Sequence, residues 1–153
     1  MSRYGKRIVA SLLLAAVAVS VSTLAVRAER VALVIGNSDY QHGTPLANPR
    51  NDATDVAGAL QAVGFKVILG RDLDWRAFSE TIRKFSNALK DADDAVFYYA
   101  GHGLQVGGQN YLIPVDAKLD SERDLDFSAI RLNFVLRQME LDRDDKTNIV
   151  FLD

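Results

Sequence analysis

The sequence contains no cysteine and only two histidines, His42 and His102. Because cysteine is absent, the given sequence has no disulfide, no thiolate metal site and no cysteine nucleophile. The two histidines are far apart along the chain and have no thiol to join them, so a zinc site is not indicated. His42 lies in a loop with glycine and proline and is predicted to be a solvated surface residue. Any histidine chemistry in this chain is therefore assigned to His102.

Proline is also scarce, with three residues in 153, and hydrophobic residues make up 48%. This composition predicts a single globular domain with a real core. Residues 1–28 carry four basic side chains and no acidic one, while the rest of the chain has 14 basic and 20 acidic residues. Because no stretch combines clustered basic residues with stacking aromatics, we expect no nucleic-acid partner.

The first 28 residues have the pattern of an export signal. Three basic residues are followed by an apolar run at residues 8–21, and Val26 and Ala28 are the small residues of a processing site. We expect cleavage after Ala28, which places the mature protein in the periplasm or outside the cell. The alternative is an inner-membrane anchor formed by residues 8–26, which are nearly long enough to span a bilayer.

From residue 29 onward strand and helix patterns alternate, which predicts an α/β fold with a mostly parallel sheet flanked by helices. Continuous apolar runs predict four buried strands, at residues 31–35, 65–69, 95–100 and 147–152. Apolar residues at three-to-four spacing predict helices that carry residues 53–63, 75–89 and 132–141, the first capped by Asn48 or Asn51 and the second by Asp72 or Asp74. A glycine turn predicts a hairpin over residues 104–113, and the acidic segment 116–126 is predicted to be an irregular solvated loop.

His102 follows the apolar run 95–100 directly and lies between Gly101 and Gly103. The carboxyl ends of parallel strands are where ligands and catalytic groups are placed. The glycines allow a sharp turn and leave room for a substrate's main chain. An imidazole there can act as a general base near neutral pH, and a neighbouring N–H can stabilise an oxyanion. The alternative is a structural histidine, hydrogen-bonded and inert.

Six segments, in this order and at these spacings, resemble the large-subunit region of caspase-fold cysteine peptidases, in particular the bacterial caspase-like and metacaspase group. They are ALVIGN at residues 32–37 with Tyr40, LANPRNDA at 46–53, GF at 64–65, FYYAGHG at 97–103, NYLIPVD at 110–116 and IVFLD at 149–153. The resemblance covers nearly the whole chain after the leader. It implies a caspase-like domain over residues 29–153 whose sheet is incomplete at the C-terminus.

The resemblance also implies the activity of a cysteine-type endopeptidase. His102 matches the family's catalytic histidine, which assists a cysteine thiolate and protonates the leaving amine. Gly103 matches the glycine whose N–H contributes to the oxyanion hole. Asp153 matches the aspartate two residues before the cysteine, so the nucleophile is expected two residues beyond Asp153. The 153-residue chain is accordingly expected to be inactive.

In the metacaspase branch the pocket for the residue before the scissile bond is acidic, and its positions match Asp52 and Asp153. Two carboxylates there would bind an arginine or lysine side chain, which implies cleavage after basic residues. The alternative for Asp52 is a purely structural one, because the first turn of a helix favours an acidic residue.

No cofactor is expected. Some metacaspases are activated by calcium, but the acidic segment 116–126 lacks the ligand spacing of an EF-hand and is better explained as a charged face. The expected partner is a peptide or protein substrate, with self-association through an open, apolar sheet edge. Two alternatives remain open: a non-catalytic caspase-like module that binds peptides or another subunit, and an α/β ligand-binding domain in which His102 is structural.

Overall fold

The structure is a computed structural model that describes residues 28–153. The predicted leader and the alternative anchor at residues 8–26 lie outside the described residues, apart from Ala28, so export and cleavage stay predictions. Within the described part of the chain, no helix has both the length and the apolar character needed to cross a bilayer.

Twelve elements follow one another along residues 28–153. They are β1 (Arg30–Gly36), α1 (Pro49–Ala62), β2 (Lys66–Arg71), α2 (Trp75–Leu89), β3 (Asp94–Ala100), β4 (Gly103–Val106), β5 (Gln109–Leu112), a 3₁₀ turn (Glu122–Asp124), α3 (Leu125–Ser128), β6 (Ile130–Arg131), α4 (Leu132–Glu140) and β7 (Thr147–Leu152).

The centre of the fold is a four-stranded sheet in the order β2-β1-β3-β7, in which every pairing is parallel. Strands β1 and β3 occupy the middle, and their apolar runs are buried on both faces, as the lack of alternation predicts. Helix α1 packs on one face of the sheet, while α2 and α4 contribute to the larger core on the other. The predicted α/β fold with a mostly parallel sheet flanked by helices is confirmed.

Helix α2 begins where the sequence predicts. The side chain of Asp74 accepts a hydrogen bond from the N–H of Ala77 at 2.7 Å, so an otherwise unpaired donor of the first turn is satisfied. Its apolar stripe of Phe78, Ile82 and Phe85 is fully buried against the sheet. Helix α1 begins at Pro49, so its cap residue is Asn48 and not Asn51; the Asn48 side chain makes no capping hydrogen bond, and proline is well tolerated in a first turn.

The prediction of an irregular loop over residues 116–126 is wrong in its second half. Ser121 and Asp124 form a reciprocal capping box that starts the 3₁₀ turn, and α3 follows it with Leu125 buried. The two-residue strand β6 was not predicted, and it joins the predicted β4–β5 hairpin in a small antiparallel sheet. Such short elements carry too few residues to show a periodicity.

The prediction that the last strand is buried is also wrong. All six residues of β7 are exposed, including Phe151 at 54% and Leu152 at 53%. β7 pairs with β3 on one side and is the edge strand of the sheet described here. A continuous apolar run shows that a strand is suited to burial on both faces, but it does not show that residues 28–153 provide the covering elements.

One buried cation ties β7 to the middle of the sheet. Arg143 is 4% exposed, and its guanidinium donates to the carbonyl oxygen of Leu89 at 2.8 Å, to that of Ala92, and to those of Asp93 and Thr147 at 3.4 Å each. It also donates to Asn148 Oδ1 at 3.2 Å. Burial lowers the pKa of Arg143, yet these acceptors still solvate its charge. The side chain therefore holds the end of α2 and the starts of β3 and β7 together.

We predict that Arg143→Ala lowers the free energy of unfolding by about 3 kcal/mol, because several buried carbonyl groups lose their donor together. Urea denaturation of the full chain measures the change. The control is Arg76→Ala, since Arg76 forms only an exposed pair with Glu80 one helical turn away and is expected to leave stability nearly unchanged. Equal effects of the two substitutions would contradict this role for Arg143.

Candidate active site

Three strand ends meet at one edge of the parallel sheet. β1 leads into Asn37, β3 leads into Gly101 and His102, and β7 leads into Asp153. The main chain of Asp153 extends the β3–β7 ladder, because its N–H donates to the oxygen of Tyr99 at 2.9 Å and its oxygen accepts from the N–H of Gly101 at 3.3 Å. The backbone at Asp153 is thereby fixed beside the residue that precedes His102.

A cleft of about 420 Å³ opens at this edge. It brings together three of the four predicted site residues, Asp52, His102 and Asp153. The remaining lining residues come from the segment before α1 and from the end of β3: Leu46, Ala47, Asn48, Pro49, Ala100 and Gly101. The fourth predicted residue, Gly103, lines an adjoining cleft of about 360 Å³ together with Leu152 and Asp153. Asp153 therefore borders both spaces.

The imidazole of His102 is held in one orientation. Its Nε2 lies 2.7 Å from the carbonyl oxygen of Thr44. Because a carbonyl oxygen only accepts, Nε2 carries the hydrogen, and Nδ1 is the basic nitrogen of the neutral ring. The ring of Tyr40 lies against the imidazole, with a centroid distance of 4.4 Å and a tilt of 45°. His102 is half-buried and borders the open cleft, so it is not enclosed in packed hydrocarbon.

The main-chain N–H of Gly103 points away from the hairpin. Gly103 is paired with Leu112, and the N–H of Ile113 donates to the oxygen of His102 at 3.1 Å. In an antiparallel ladder this bond makes His102–Ile113 the hydrogen-bonded pair and Gly103–Leu112 the non-hydrogen-bonded one. The N–H of Gly103 therefore faces the open side of β4, which is an edge strand of the small sheet.

The two predicted carboxylates lie near one phenol. Asp153 Oδ2 accepts a hydrogen bond from the hydroxyl of Tyr98 at 3.4 Å. Burial raises the pKa of Tyr98, and the negative charges of Asp153 and Asp52 raise it further. Asp52 is half-buried in the first turn of α1, where the helix dipole also favours it. Within residues 28–153 neither carboxylate is in an ion pair, so the cleft is suited to a cationic group.

Two features of the site were not predicted from the sequence. Thr44 contacts His102 through its main chain, which no side-chain pattern reveals. Asn37 is fully buried; its Nδ2 donates to the oxygen of Ile113 at 3.1 Å and its Oδ1 accepts from the N–H of Leu73 at 2.9 Å. A polar residue directly after a buried strand is the signal that could have identified Asn37 as the residue that anchors this edge.

The segment that carries Thr44 is fixed at several points. Asp72 Oδ1 accepts from the N–H groups of Ser38 and Asp39 at 2.8 and 3.0 Å, and the N–H of Gln41 donates to the oxygen of Val115 at 2.8 Å. His42, by contrast, is exposed on this segment. The contact between Thr44 and His102 is therefore built into an ordered loop.

Two of the acidic residues of segment 116–126 are engaged by other parts of the protein. Asp116 accepts from the N–H of Trp75 at 2.8 Å, and Asp126 pairs with Arg131 at 2.6 Å. In the part of the chain that the structure describes, no three histidine, aspartate or glutamate side chains are grouped to hold a metal ion.

This architecture, a parallel sheet whose third strand delivers a histidine at the edge where a fourth strand ends, is that of the caspase fold. The crystal structure of the Drosophila initiator caspase Dronc superposes with a TM-score of 0.63, at 12% sequence identity, over 80% of this chain and 47% of that one. At this identity the likeness shows the fold alone.

Residues 29–153 match the family model described as Caspase domain. The chain belongs to the caspase domain family. It is 33% identical over 89 residues to the human mucosa-associated lymphoid tissue lymphoma translocation protein 1, and to the same degree to the mouse homologue. The match covers 58% of this chain and 11% of the length of each relative. The predicted resemblance is thus confirmed at the level of the family.

Proposed function

We propose that this domain is the histidine-bearing part of a cysteine-type endopeptidase. The observation that carries the proposal is the orientation of His102, whose Nε2 is engaged by Thr44 while Nδ1 remains as the basic nitrogen, beside the cleft where β7 ends. A general base needs one nitrogen fixed and the other open to the proton that it abstracts. Membership of the caspase domain family supports the same chemistry.

The nucleophile in this proposal is a cysteine two residues beyond Asp153 in a longer polypeptide. Nδ1 of His102 takes the thiol proton, and the thiolate attacks the carbonyl carbon of the scissile bond. The oxyanion accepts hydrogen bonds from the N–H of Gly103 and from that of the cysteine itself. The imidazolium then protonates the departing amine, which leaves an acyl-enzyme that water hydrolyses with His102 again acting as the base.

We predict that the 153-residue chain does not cleave peptides, because it contains no thiol. A polypeptide that continues through the cysteine is expected to cleave fluorogenic arginyl and lysyl peptides. In that polypeptide His102→Ala lowers kcat at least about 1,000-fold, since the general base is lost, while the control His42→Ala leaves kcat unchanged. Turnover by the 153-residue chain that disappears in its own His102→Ala variant would contradict the proposal.

The two carboxylates of the cleft set the proposed specificity for arginine or lysine before the scissile bond. Asp52 and Asp153 border the same space, and neither is neutralised by a cation of residues 28–153. A guanidinium or ammonium group there gains charge-assisted hydrogen bonds to both. This favours the metacaspase type of pocket over a caspase pocket that binds aspartate.

We predict that Asp52→Asn lowers kcat/KM for arginyl substrates about 10- to 100-fold, because one charged acceptor is lost. The matched control is Asp55→Asn, an exposed residue of the same helix that does not line the cleft. Both rates are measured in the polypeptide that continues past Asp153. Equal losses in the two variants would show that Asp52 stabilises helix α1 and does not bind the substrate side chain.

Export and cofactor independence also belong to the proposal. The pattern of residues 1–28 supports a periplasmic or secreted protein, with an inner-membrane anchor as the alternative. The proposed chemistry uses a thiol and an imidazole and needs no metal ion, while activation by calcium remains the alternative.

The exposed edge strand β7 supports a second role in pairing. Ile149, Phe151 and Leu152 are each at least 40% exposed on a strand with an unpaired outer edge in the described sheet. We propose that the outer edge of β7 pairs with another polypeptide segment, which can come from a second copy of this chain. The same edge would serve a non-catalytic module, and a residue other than cysteine two positions beyond Asp153 would favour that module over the enzyme.

We predict that the 153-residue chain self-associates with rising concentration and that Phe151→Lys weakens this association at least about tenfold, because an inserted charge blocks edge pairing. Sedimentation velocity measures it. Phe127→Lys is the control, since Phe127 is 79% exposed but lies on α3. A chain that stays monomeric, or two variants that behave alike, would contradict the edge as the contact surface.

A further inference from the structure

Two tyrosine hydroxyls hold the main chain of His102. Its N–H donates to the hydroxyl oxygen of Tyr40 at 2.7 Å, and its carbonyl oxygen accepts from the hydroxyl of Tyr99 at 2.7 Å. The two hydroxyl oxygens are 3.3 Å apart. Tyr40 and Tyr99 are 7% and 2% exposed, and neither lines the cleft that contains Asp52, His102 and Asp153; the two residues are here named the tyrosine pair.

The tyrosine pair interrupts a regular ladder at the catalytic position. A hydrogen-bonded antiparallel pair exchanges two N–H···O bonds, but His102 and Ile113 exchange only the one from the N–H of Ile113. The reciprocal acceptor, the oxygen of Ile113, instead receives Asn37 Nδ2 at 3.1 Å. The N–H of His102 therefore donates to the Tyr40 hydroxyl instead of to the oxygen of Ile113, and His102 departs from the hairpin ladder at this point.

The hydrogens of the pair can be assigned in one consistent direction. The Tyr99 hydroxyl has one hydrogen, and of its two possible acceptors the oxygen of His102 at 2.7 Å is nearer than that of Ile113 at 3.2 Å. With this hydrogen directed to His102, Tyr99 can only accept from Tyr40, so the Tyr40 hydroxyl donates to Tyr99 while it accepts from the N–H of His102. The Tyr99 hydroxyl also accepts from the N–H of Ile113 at 3.2 Å. Burial raises the pKa of both phenols, so each keeps its proton at neutral pH.

Gly101 leaves the space that the tyrosine pair occupies. Its φ is +154°, and a Cβ there would lie 2.6 Å from the Tyr40 hydroxyl and 2.8 Å from that of Tyr99. Neither oxygen can retreat easily, because each is held by the bonds just described. A glycine before His102 is therefore required for both hydroxyls to reach the main chain.

Tyr40 also touches the imidazole and belongs to the loop of Thr44. Its ring lies against that of His102, and the Nε2 of His102 reaches the oxygen of Thr44 four residues further on. We propose that Tyr40 is a positioning residue that fixes both the main chain and the ring of His102, and so sets which imidazole nitrogen is basic. The positioning role follows from the contacts of Tyr40, and only its effect on catalysis rests on the proposed peptidase function.

The first test is spectroscopic and needs no activity. In the full 153-residue chain, ¹⁵N shifts of the His102 ring are expected to show a single neutral form with hydrogen on Nε2. Tyr40→Phe keeps the ring contact but removes the acceptor for the N–H of His102, and we expect a mixture of the two neutral forms. Tyr111→Phe is the control, because Tyr111 is equally buried in the same cluster but has no bond to His102. An unchanged His102 spectrum in Tyr40→Phe overturns the proposal.

A measurement on the unsubstituted chain covers the case in which Tyr40→Phe fails to fold. The main-chain N–H of His102 is expected to exchange with deuterium far more slowly than that of Gly107, which lies at the exposed turn of the hairpin. Equal exchange rates at the two positions would overturn the proposed bond to Tyr40.

The second test uses the polypeptide that continues past Asp153. Tyr40→Phe is expected to lower kcat about 10- to 100-fold with KM within twofold of the parent value, because a misplaced base affects the chemical step and not binding. Thr81→Val, which removes a buried hydroxyl from α2 and lies outside both clefts, is expected to change neither constant. A loss confined to KM overturns the positioning role, whereas an inactive parent polypeptide refutes the peptidase function and leaves the spectroscopic result to stand.

Discussion

The site is held in place by the parallel pairing of β3 with both β1 and β7. Parallel strands bring their carboxyl ends to one edge, so Asn37, His102 and Asp153 meet there although they are remote in sequence. The ladder continues past β7 to Asp153, which fixes the backbone of Asp153 beside Gly101. Helix α1 brings Asp52 to the same cleft, and the loop that carries Tyr40 and Thr44 orients the imidazole of His102.

The site combines a base with fixed orientation and a negatively charged cleft beside it. The oxygen of Thr44 selects the hydrogen position on the imidazole, while Asp52 and Asp153 supply charge without neutralising partners among the described residues. A cationic substrate side chain bound in that cleft would carry the following peptide bond past His102. In the proposed enzyme the binding charge and the reactive nitrogen belong to different residues, so we expect substitutions to alter binding and catalysis separately.

Much of the fold could be predicted from the sequence, because continuous apolar runs and the Asp74 cap define β1, β3 and α2 directly. The apolar run of β7 did not predict its exposure, since such a run reports suitability for burial and not the presence of a cover. An open, apolar sheet edge was expected only from the family resemblance. Asp52, His102 and Asp153 were identified by their place in motifs. Thr44 acts through a carbonyl group that every residue has, and Tyr40 acts through a contact between distant segments, so neither role is visible in local sequence.

We propose that the imidazole of His102 serves a thiol that follows the end of β7. The decisive experiment is a crystal structure of the polypeptide that continues past Asp153, bound to a peptide aldehyde ending in arginine. We expect a bond from the aldehyde carbon to a cysteine two residues beyond Asp153, with Nδ1 of His102 in hydrogen-bonding reach and the guanidinium between Asp52 and Asp153. An aldehyde bound elsewhere, or an imidazole turned away from the adduct, would contradict it.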